Sequence, residues 1–467
     1  MSRALDGLAV ILAGLLLSTL AFGWRRPEEI VLLLLAAIGL RALLRPYAVP
    51  PWRPGRVVGG GVIVYAVVFS FITVTRHWAF RTHALDLGYY VQVLWSLSQG
   101  LGPYVSLPEM HAWGDHFSPT LYLLVPLFAL FPGPVVLLVS QSVAFALGAL
   151  PLFALARRRL GRDPPAAAFT LLYLLRPTLH GIWIALARRR WIWGLGVAAG
   201  SLALLFFDTQ VLMPYFRGGP YPHLHRYAHL GGSLGEILLN MVLHPLRTLG
   251  FMVSGEKLTY LLALLAPLGL LPLLAPWDLL PALPALAHNL LARDPVMFRY
   301  RTQYNSFILP FFILAAVSGY ARLAPGLALK GRPLRGLALG LAFLLSLALT
   351  SRTVNDLALD RWWLTARQRA AHALVAQVPP GVSVSTPDRF VPHLAMRPKV
   401  FVFPVGLEKS EYVLLDARAY PSNVRFERQG NEVALSVGGP GGAMEYRYEV
   451  LHEAEGYLVL RRLLLSK

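Results

Sequence analysis

The feature that most constrains this chain is a succession of apolar runs long enough to cross a lipid bilayer. They cover Leu5–Phe22, Ile30–Leu44, Val57–Thr75, Val135–Ala156, Ala166–Leu186, Trp191–Met213, Leu258–Ala275, Leu279–Leu291, Phe307–Leu323 and Leu334–Thr350. Most approach the ~17–25 residues that a tilted spanning helix needs. Composition agrees: 56% of the 467 residues are hydrophobic and 14% charged, against about a quarter charged in an ordinary soluble domain. A soluble chain of this length would need more polar residues to cover its core. The expected fold is mainly α, a polytopic transmembrane helical bundle of roughly 9–10 spans. Leu279–Leu291 is short and proline-rich, which suits a broken or re-entrant segment. The first run has no small-residue cleavage site before Trp24 and reads as an uncleaved anchor.

Charge sets the expected orientation. Lys+Arg total 43 against Asp+Glu 24, for a net charge of +19, and five of the cations are lysines. The arginines gather at the ends of apolar runs, the footprint of membrane topology and anionic headgroups, and not of nucleic-acid binding. Arg41, Arg45, Arg53 and Arg56 are expected on the cytoplasmic side, as are Arg157, Arg158, Arg159 and Arg162, then Arg322, Lys330, Arg332 and Arg335. The segment 76–134 and everything after Thr350 then lie outside. Phe117–Phe131 fits that scheme as a helix lying in the outer interface. Ala166–Leu186 sits between two arginine runs, so it is either a re-entrant hairpin broken near Pro177 and Gly181 or leaves Arg188–Arg190 outside. Cysteine is absent, which excludes disulfides, thiolate metal sites and cysteine nucleophiles.

The last quarter changes character. Half of the 24 acids follow Thr350. Short β-like runs occur at Val382–Ser385, Lys399–Phe403, Tyr412–Leu415, Tyr446–Val450 and Tyr457–Leu460. Ala366–Val378 has helical spacing before Pro379-Pro380-Gly381 stops it. The expected division is a membrane domain over 1–351 and a small extracytoplasmic α/β domain over 352–467.

Polar residues are scarce in the membrane half, so their placement is informative. Eight of the 13 histidines fall in two expected outside loops: His77, His83, His111 and His116, then His223, His225, His229 and His244. In the first loop His83–Gly100 reads as an amphipathic helix, with Leu87, Val91, Leu94 and Trp95 on one face. Asp86 at its start has two readings. It is an N-cap, stabilised as the anion by free N–H groups and the helix dipole, or a general base at the membrane surface. The readings conflict in energy, because a capping carboxylate is a weaker base. Asp115-His116 can steer an imidazole tautomer, bind phosphate or take a divalent metal, or serve as a cap and interfacial anchor. No DxD or HExxH spacing supports a metal, and no cofactor is expected. Pro220–Leu230 reads as an interfacial loop with aromatic anchors. Arg299, Arg301 and Tyr304, at a membrane edge, suit a pyrophosphate or a lipid phosphate. Asp208 is a costly residue unless its carboxylate snorkels out of the lipid.

Several stretches together resemble one family. They are HALDLGYYVQVLWSLSQGLG, GDHFSPTLYLLVPLFALFPGPVVLLVSQSVAFALGALPLFALARRRLG, LLAPWDLLPALPALAHNLL, QYNSFILPFF, VSVSTPDRFVPHLAMRPKVFVFP and YVLLD. This is similar to the membrane proteins grouped as domain of unknown function 2079. That family is placed beside glycosyltransferases of the C-type fold, which take sugars from polyprenyl-phosphate donors. The resemblance implies that Asp86 occupies the place of the essential acid in the first outside loop, and that Phe117–Phe131 is the interfacial helix. It also implies that His83, Gln92, Asp115 and His116 belong to a recurrent polar set. One stretch departs from the pattern: after LLYLLRPTL, family members continue through an FDFHP-like stretch and a KED-like motif, whereas here the chain passes almost directly to the span ending at Met213. Roles attached to the missing block do not carry over.

The function expected on these grounds is transfer of a sugar from a polyprenyl-phosphate donor to an envelope acceptor, on the outer face of the cytoplasmic membrane. Asp86, Asp115 and His116 are the candidate catalytic residues. His83, Tyr89, Gln92, Arg301 and Tyr304 are the candidate substrate contacts, with anionic lipids as the surrounding partner. The alternative is a non-catalytic scaffold or a lipid- or glycan-binding protein; a transporter would need paired broken helices and midplane polar residues.

Overall fold

The computed structural model describes residues 2–22, 27–44, 53–174, 200, 203–204, 206–300, 302–323, 363–439 and 442–463. Four helices open the chain: α1 (Ser2–Phe22), α2 (Pro27–Leu44), α3 (Pro54–Trp78) and α4 (Tyr89–Ser98). Pro27 and Pro54 start their helices, where a missing N–H leaves no bond unmade. Among the described residues two helices are long and apolar enough to cross a membrane, α3 and Pro134–Leu160. A third span results if Pro245–Phe251 and Gly255–Leu268, bent by 74°, count as one.

The bundle of nine to ten spans expected from hydropathy is therefore only partly seen. Ala166–Leu186, Trp191–Met213 and Leu334–Thr350 fall partly or wholly outside the described residues. Elsewhere proline breaks the apolar runs: from Ala266 to Leu291 the chain forms three 3₁₀ segments and one α-helix, with a proline at the start of each and Pro281 inside one. Leu309–Leu323 is a helix of 15 residues, short for a span.

The chain packs as two compact units, one of Met1–Phe69, Ser142–Trp191 and His223–Trp362, the other of Ser70–Gln141, Ile192–Pro222 and Trp363–Lys467. In the first unit Leu309–Leu323 is buried almost all round, against alanines 146, 149, 156, 166 and 167 and the Tyr260–Leu271 region. Small side chains let helices approach closely, as membrane helices do. Two polar clusters inside this unit are paired within it. The Tyr260 hydroxyl donates to Asn305 Oδ1 at 2.6 Å and accepts from Asn289 Nδ2 at 3.0 Å. Arg159 donates to Ser318 Oγ at 2.7 Å and reaches Asp278 at 3.4 Å.

The second unit joins Ser70–Gln141 to the C-terminal domain. Its seven-stranded sheet has the order β4-β3-β5-β9-β8-β7-β6, with β3 Val384–Thr386, β4 Val400–Val402, β5 Tyr412–Asp416, β6 Val424–Gln429, β7 Glu432–Gly439, β8 Gly442–Ala454 and β9 Tyr457–Arg462. β3 pairs parallel with β4 and β5; the other pairs are antiparallel. Strand alternation sends Leu414 to one face and Val413 and Leu415 to the other. On the Leu414 face pack the helix Ala366–Val375, started by a Thr365–Gln368 capping box, and the helix Val391–Leu394. Phe80 and Ala84 are buried in that same layer. A two-residue hairpin, β1 (Tyr104–Val105) and β2 (Met110–His111), completes the segment after α4.

Candidate functional site

Asp86 lies in a π-turn, Ala84–Gly88, that runs directly into α4. Such turns have poorer hydrogen-bond geometry than an α-helix and frequently mark functional sites. This one is closed by Gly88 N–H donating to His83 O at 3.2 Å. Its first free N–H is capped, but not by Asp86: Ala84 N–H donates to Asp388 Oδ1 at 2.9 Å. The other oxygen, Asp388 Oδ2, stands 2.5 Å from His83 Nδ1. The cap is thus supplied by an acid about 300 residues away, on the 3₁₀ turn Asp388–Phe390. Asp86 is exposed, and among the described residues its carboxylate has no hydrogen bond or ion pair.

The turn is also held at its far end. A Cβ added to Gly88 would lie 2.9 Å from Val391 Cγ1 and 3.4 Å from Pro392 N, so only glycine fits without displacement. Beyond the turn, α4 buries Tyr89, Val91, Gln92, Val93, Leu94 and Ser96. The expected single apolar face is therefore corrected to burial nearly all round, because the C-terminal domain and the β1–β2 hairpin both cover this helix.

Gln92 is 1% exposed and its amide is wholly engaged by protein groups. Nε2 donates to Ser106 Oγ at 2.8 Å and to Arg397 O at 3.0 Å, and Oε1 accepts from Ser106 N–H at 3.0 Å. Ser106 Oγ in turn pairs with Val400 N–H at 2.9 Å and Val400 O at 2.8 Å, along the edge of β4. The Tyr89 hydroxyl donates to Ala112 O at 3.0 Å. Burial, then the negative charge of Asp115, push the Tyr89 phenol above its ordinary range. Both residues read as framework.

Asp115 and His116 form a pair, Oδ2 to Nδ1, at 2.9 Å, with the imidazole 51% exposed. Gly114 permits their placement: a Cβ there would lie 2.8 Å from Arg217 N, in the segment Met213–Arg217. His111 stacks on Phe216 of that segment with ring centroids 4.3 Å apart. The His116 ring meets Tyr89 and Tyr90 edge-on at 6.0 and 6.4 Å. Tyr90, which the sequence reading passes over, links the two acids. Its phenol is pushed up to about 12 by burial first, then by Asp115 and Asp86, with a Ser118 hydrogen bond pulling the other way. The Tyr90 phenol thus feels the field of both carboxylates, Asp115 more than Asp86. The missed signal is the YY pair of Tyr89-Tyr90, whose second ring falls on the side of α4 facing Asp86 one turn back.

The remaining candidates belong to the other unit. Tyr304 accepts a hydrogen bond from Arg226 Nη1 at 3.3 Å, and Arg226 also pairs with Asp294 at 3.4 Å. Arg301 lies outside the described residues. Among the described residues no group of three or more His, Cys, Asp or Glu side chains is placed to hold a metal ion. The apolar segment Pro119–Leu130 forms a short helix, with Leu123, Leu130 and Phe131 at 80%, 74% and 64% exposure. It is too short to span.

Comparison with curated proteins finds no match. A family model described as a predicted membrane protein of unknown function, DUF2079, matches residues 76–181 and 178–459. The two matched pieces overlap at 178–181. Together they cover the Asp86 turn, the Asp115-His116 pair and most of the C-terminal sheet. The chain belongs to the predicted membrane protein family DUF2079.

Proposed function

We propose that this membrane protein transfers a sugar from a polyprenyl-phosphate donor to an envelope acceptor, at the outer face of the cytoplasmic membrane. One observation carries the reading: the exposed Asp86 carboxylate takes no part in capping its turn, while Tyr90, four residues on, meets the His116 ring of the Asp115-His116 pair edge-on at 6.4 Å, in a segment that runs on into an exposed apolar helix. With the cap supplied by Asp388, Asp86 keeps its lone pairs for an acceptor hydroxyl, and the energetic conflict between cap and base disappears. The acceptor oxygen attacks the anomeric carbon while the bond from that carbon to the phosphate oxygen breaks. The hydroxyl proton goes to Asp86, the electron pair leaves with polyprenyl phosphate, and the anomeric configuration inverts. His116, oriented by Asp115, offers a hydrogen bond to the phosphate as its charge develops.

A non-catalytic scaffold is the second reading, favoured by the complete engagement of Gln92 within the protein. Deleting the gene and profiling envelope glycans by mass spectrometry separates the two. Transferase activity predicts a glycan lost on deletion, restored by the wild-type gene and not by Asp86→Asn. Equal rescue by both genes removes Asp86 from the chemistry, and an unchanged profile favours the scaffold.

A further inference from the structure

The Asp388 carboxylate does two things to one turn. Oδ1 accepts the Ala84 N–H at 2.9 Å, and Oδ2 faces His83 Nδ1 at 2.5 Å. Asp388 is itself presented rigidly, between Pro387 (φ −55°) and the buried Phe390 and Val391. Three fixings therefore converge on Ala84–Gly88: the Asp388 cap, the His83 contact and the Gly88–Val391 approach. A π-turn lacks the ladder of bonds that makes an α-helix self-supporting, so its shape depends on such outside partners. Its one unengaged polar side chain is Asp86.

The histidine contact has a chemical consequence. In the neutral ring, an Nδ1 that faces a carboxylate carries the proton, which leaves the Nε2 lone pair as the accepting site. The His83 side chain is 55% exposed, so Nε2 is open to a partner. We propose that Asp388 is a positioning residue: it sets the turn that carries Asp86 and fixes the His83 tautomer, so that Nε2 accepts a hydrogen bond from a hydroxyl of the sugar or its acceptor. This inference rests on the transferase reading for its ligand and on the geometry alone for the clamp. It makes the C-terminal domain a constituent of the site.

The test uses full-length protein in lipid nanodiscs, with hydrogen–deuterium exchange over residues 83–90 and ¹⁵N-histidine NMR. The His83 signal is identified by its loss in His83→Gln. Asp388→Ala removes the cap and is expected to speed exchange in 83–90 about fivefold, with no change in β7 or β8. Asp416→Ala, which breaks the Arg367 pair on β5, serves as a control and leaves 83–90 at the wild-type rate. Asp388→Asn keeps an oxygen for Ala84 N–H but turns an amide NH₂ toward Nδ1. It is expected to hold exchange within about twofold of wild type while moving the proton of the neutral His83 ring to Nε2.

Unchanged exchange in Asp388→Ala, or the same His83 tautomer in wild type and Asp388→Asn, overturns the proposal. The two ideas fail separately. A faster-exchanging turn with no glycan change on gene deletion keeps the clamp and removes the transferase. Glycan loss in Asp86→Asn with an unaltered turn in Asp388→Ala keeps the transferase and removes the clamp.

Discussion

Gly88 and Val391 approach so closely that a Cβ on the glycine would meet Val391 Cγ1 at 2.9 Å. The contact joins the end of the Asp86 turn to the helix Val391–Leu394 and leaves no room for a Cβ at position 88 without displacement. Gly88→Ala is expected to destabilise the second unit by about 1–3 kcal/mol, the usual cost of overpacking a filled contact. Val391→Ala in the same chain should recover most of that loss, because it removes the clashing methyl. Chemical denaturation of the two single variants and the double variant measures the coupling; simple additivity would mean that the contact is not tight.

Gln92 and Ser106 should behave as structural residues. Ser106→Ala removes one of the Gln92 Nε2 partners and takes the side-chain hydroxyl away from Val400 N–H and O. A loss of about 1–3 kcal/mol is expected from the unmade bonds. Denaturant unfolding of the membrane-reconstituted protein checks this, and a Ser106→Ala variant as stable as wild type would contradict the lock.

His393 gives the C-terminal domain a pH dependence. Its ring stacks on His77 with centroids 4.0 Å apart, and its buried Nε2 has no hydrogen-bond partner among the described residues. Burial first, then the neighbouring His77 and His372, lower its pKa from 6.5 to about 2. The unfolded chain therefore binds a proton that the folded one refuses. Stability is unaffected above pH 6.5 and falls below it, by up to ~1.4 kcal/mol per pH unit for this one group. His393→Phe keeps a ring beside His77 and removes the titration. Its unfolding midpoint between pH 7 and pH 5 should drop less than that of wild type; equal drops would assign the acid sensitivity elsewhere.

Tyr90→Phe tests the phenol itself. It deletes the hydroxyl that feels both Asp86 and Asp115 while preserving the ring against His116. Fold stability should change by less than about 1 kcal/mol, since one hydrogen bond to Ser118 is lost, whereas glycan rescue should weaken. Full rescue would place Tyr90 among the framework residues with Tyr89.

Much of this architecture is legible in the residues. Five of the strands announce themselves as β-branched and aromatic runs, and Ala366 starts a helix where Thr365 and Gln368 can cap it. β6 is less legible because VRFERQ alternates with charge and buries only Val424 fully, on a strand at the sheet's edge. Hydropathy alone does not show that prolines 267, 272, 276 and 281 cut one hydrophobic stretch into short turns. At the site, local pattern identifies Asp86 as a residue of interest but misassigns its cap. The competing partner, Asp388, is remote in sequence, and only the docking of Ala84 and Phe80 on the C-terminal domain brings it there.

The central claim is that the Asp86 carboxylate, relieved of capping, works on a polyprenyl-phosphate sugar. Its most direct test is the donor pool: polyprenyl-phosphate sugars extracted from cells carrying wild type or Asp86→Asn at equal expression, quantified by mass spectrometry. The account predicts that one such donor accumulates in the Asp86→Asn strain and returns to its wild-type level when the carboxylate is restored. Donor pools that are identical in the two strains would contradict it.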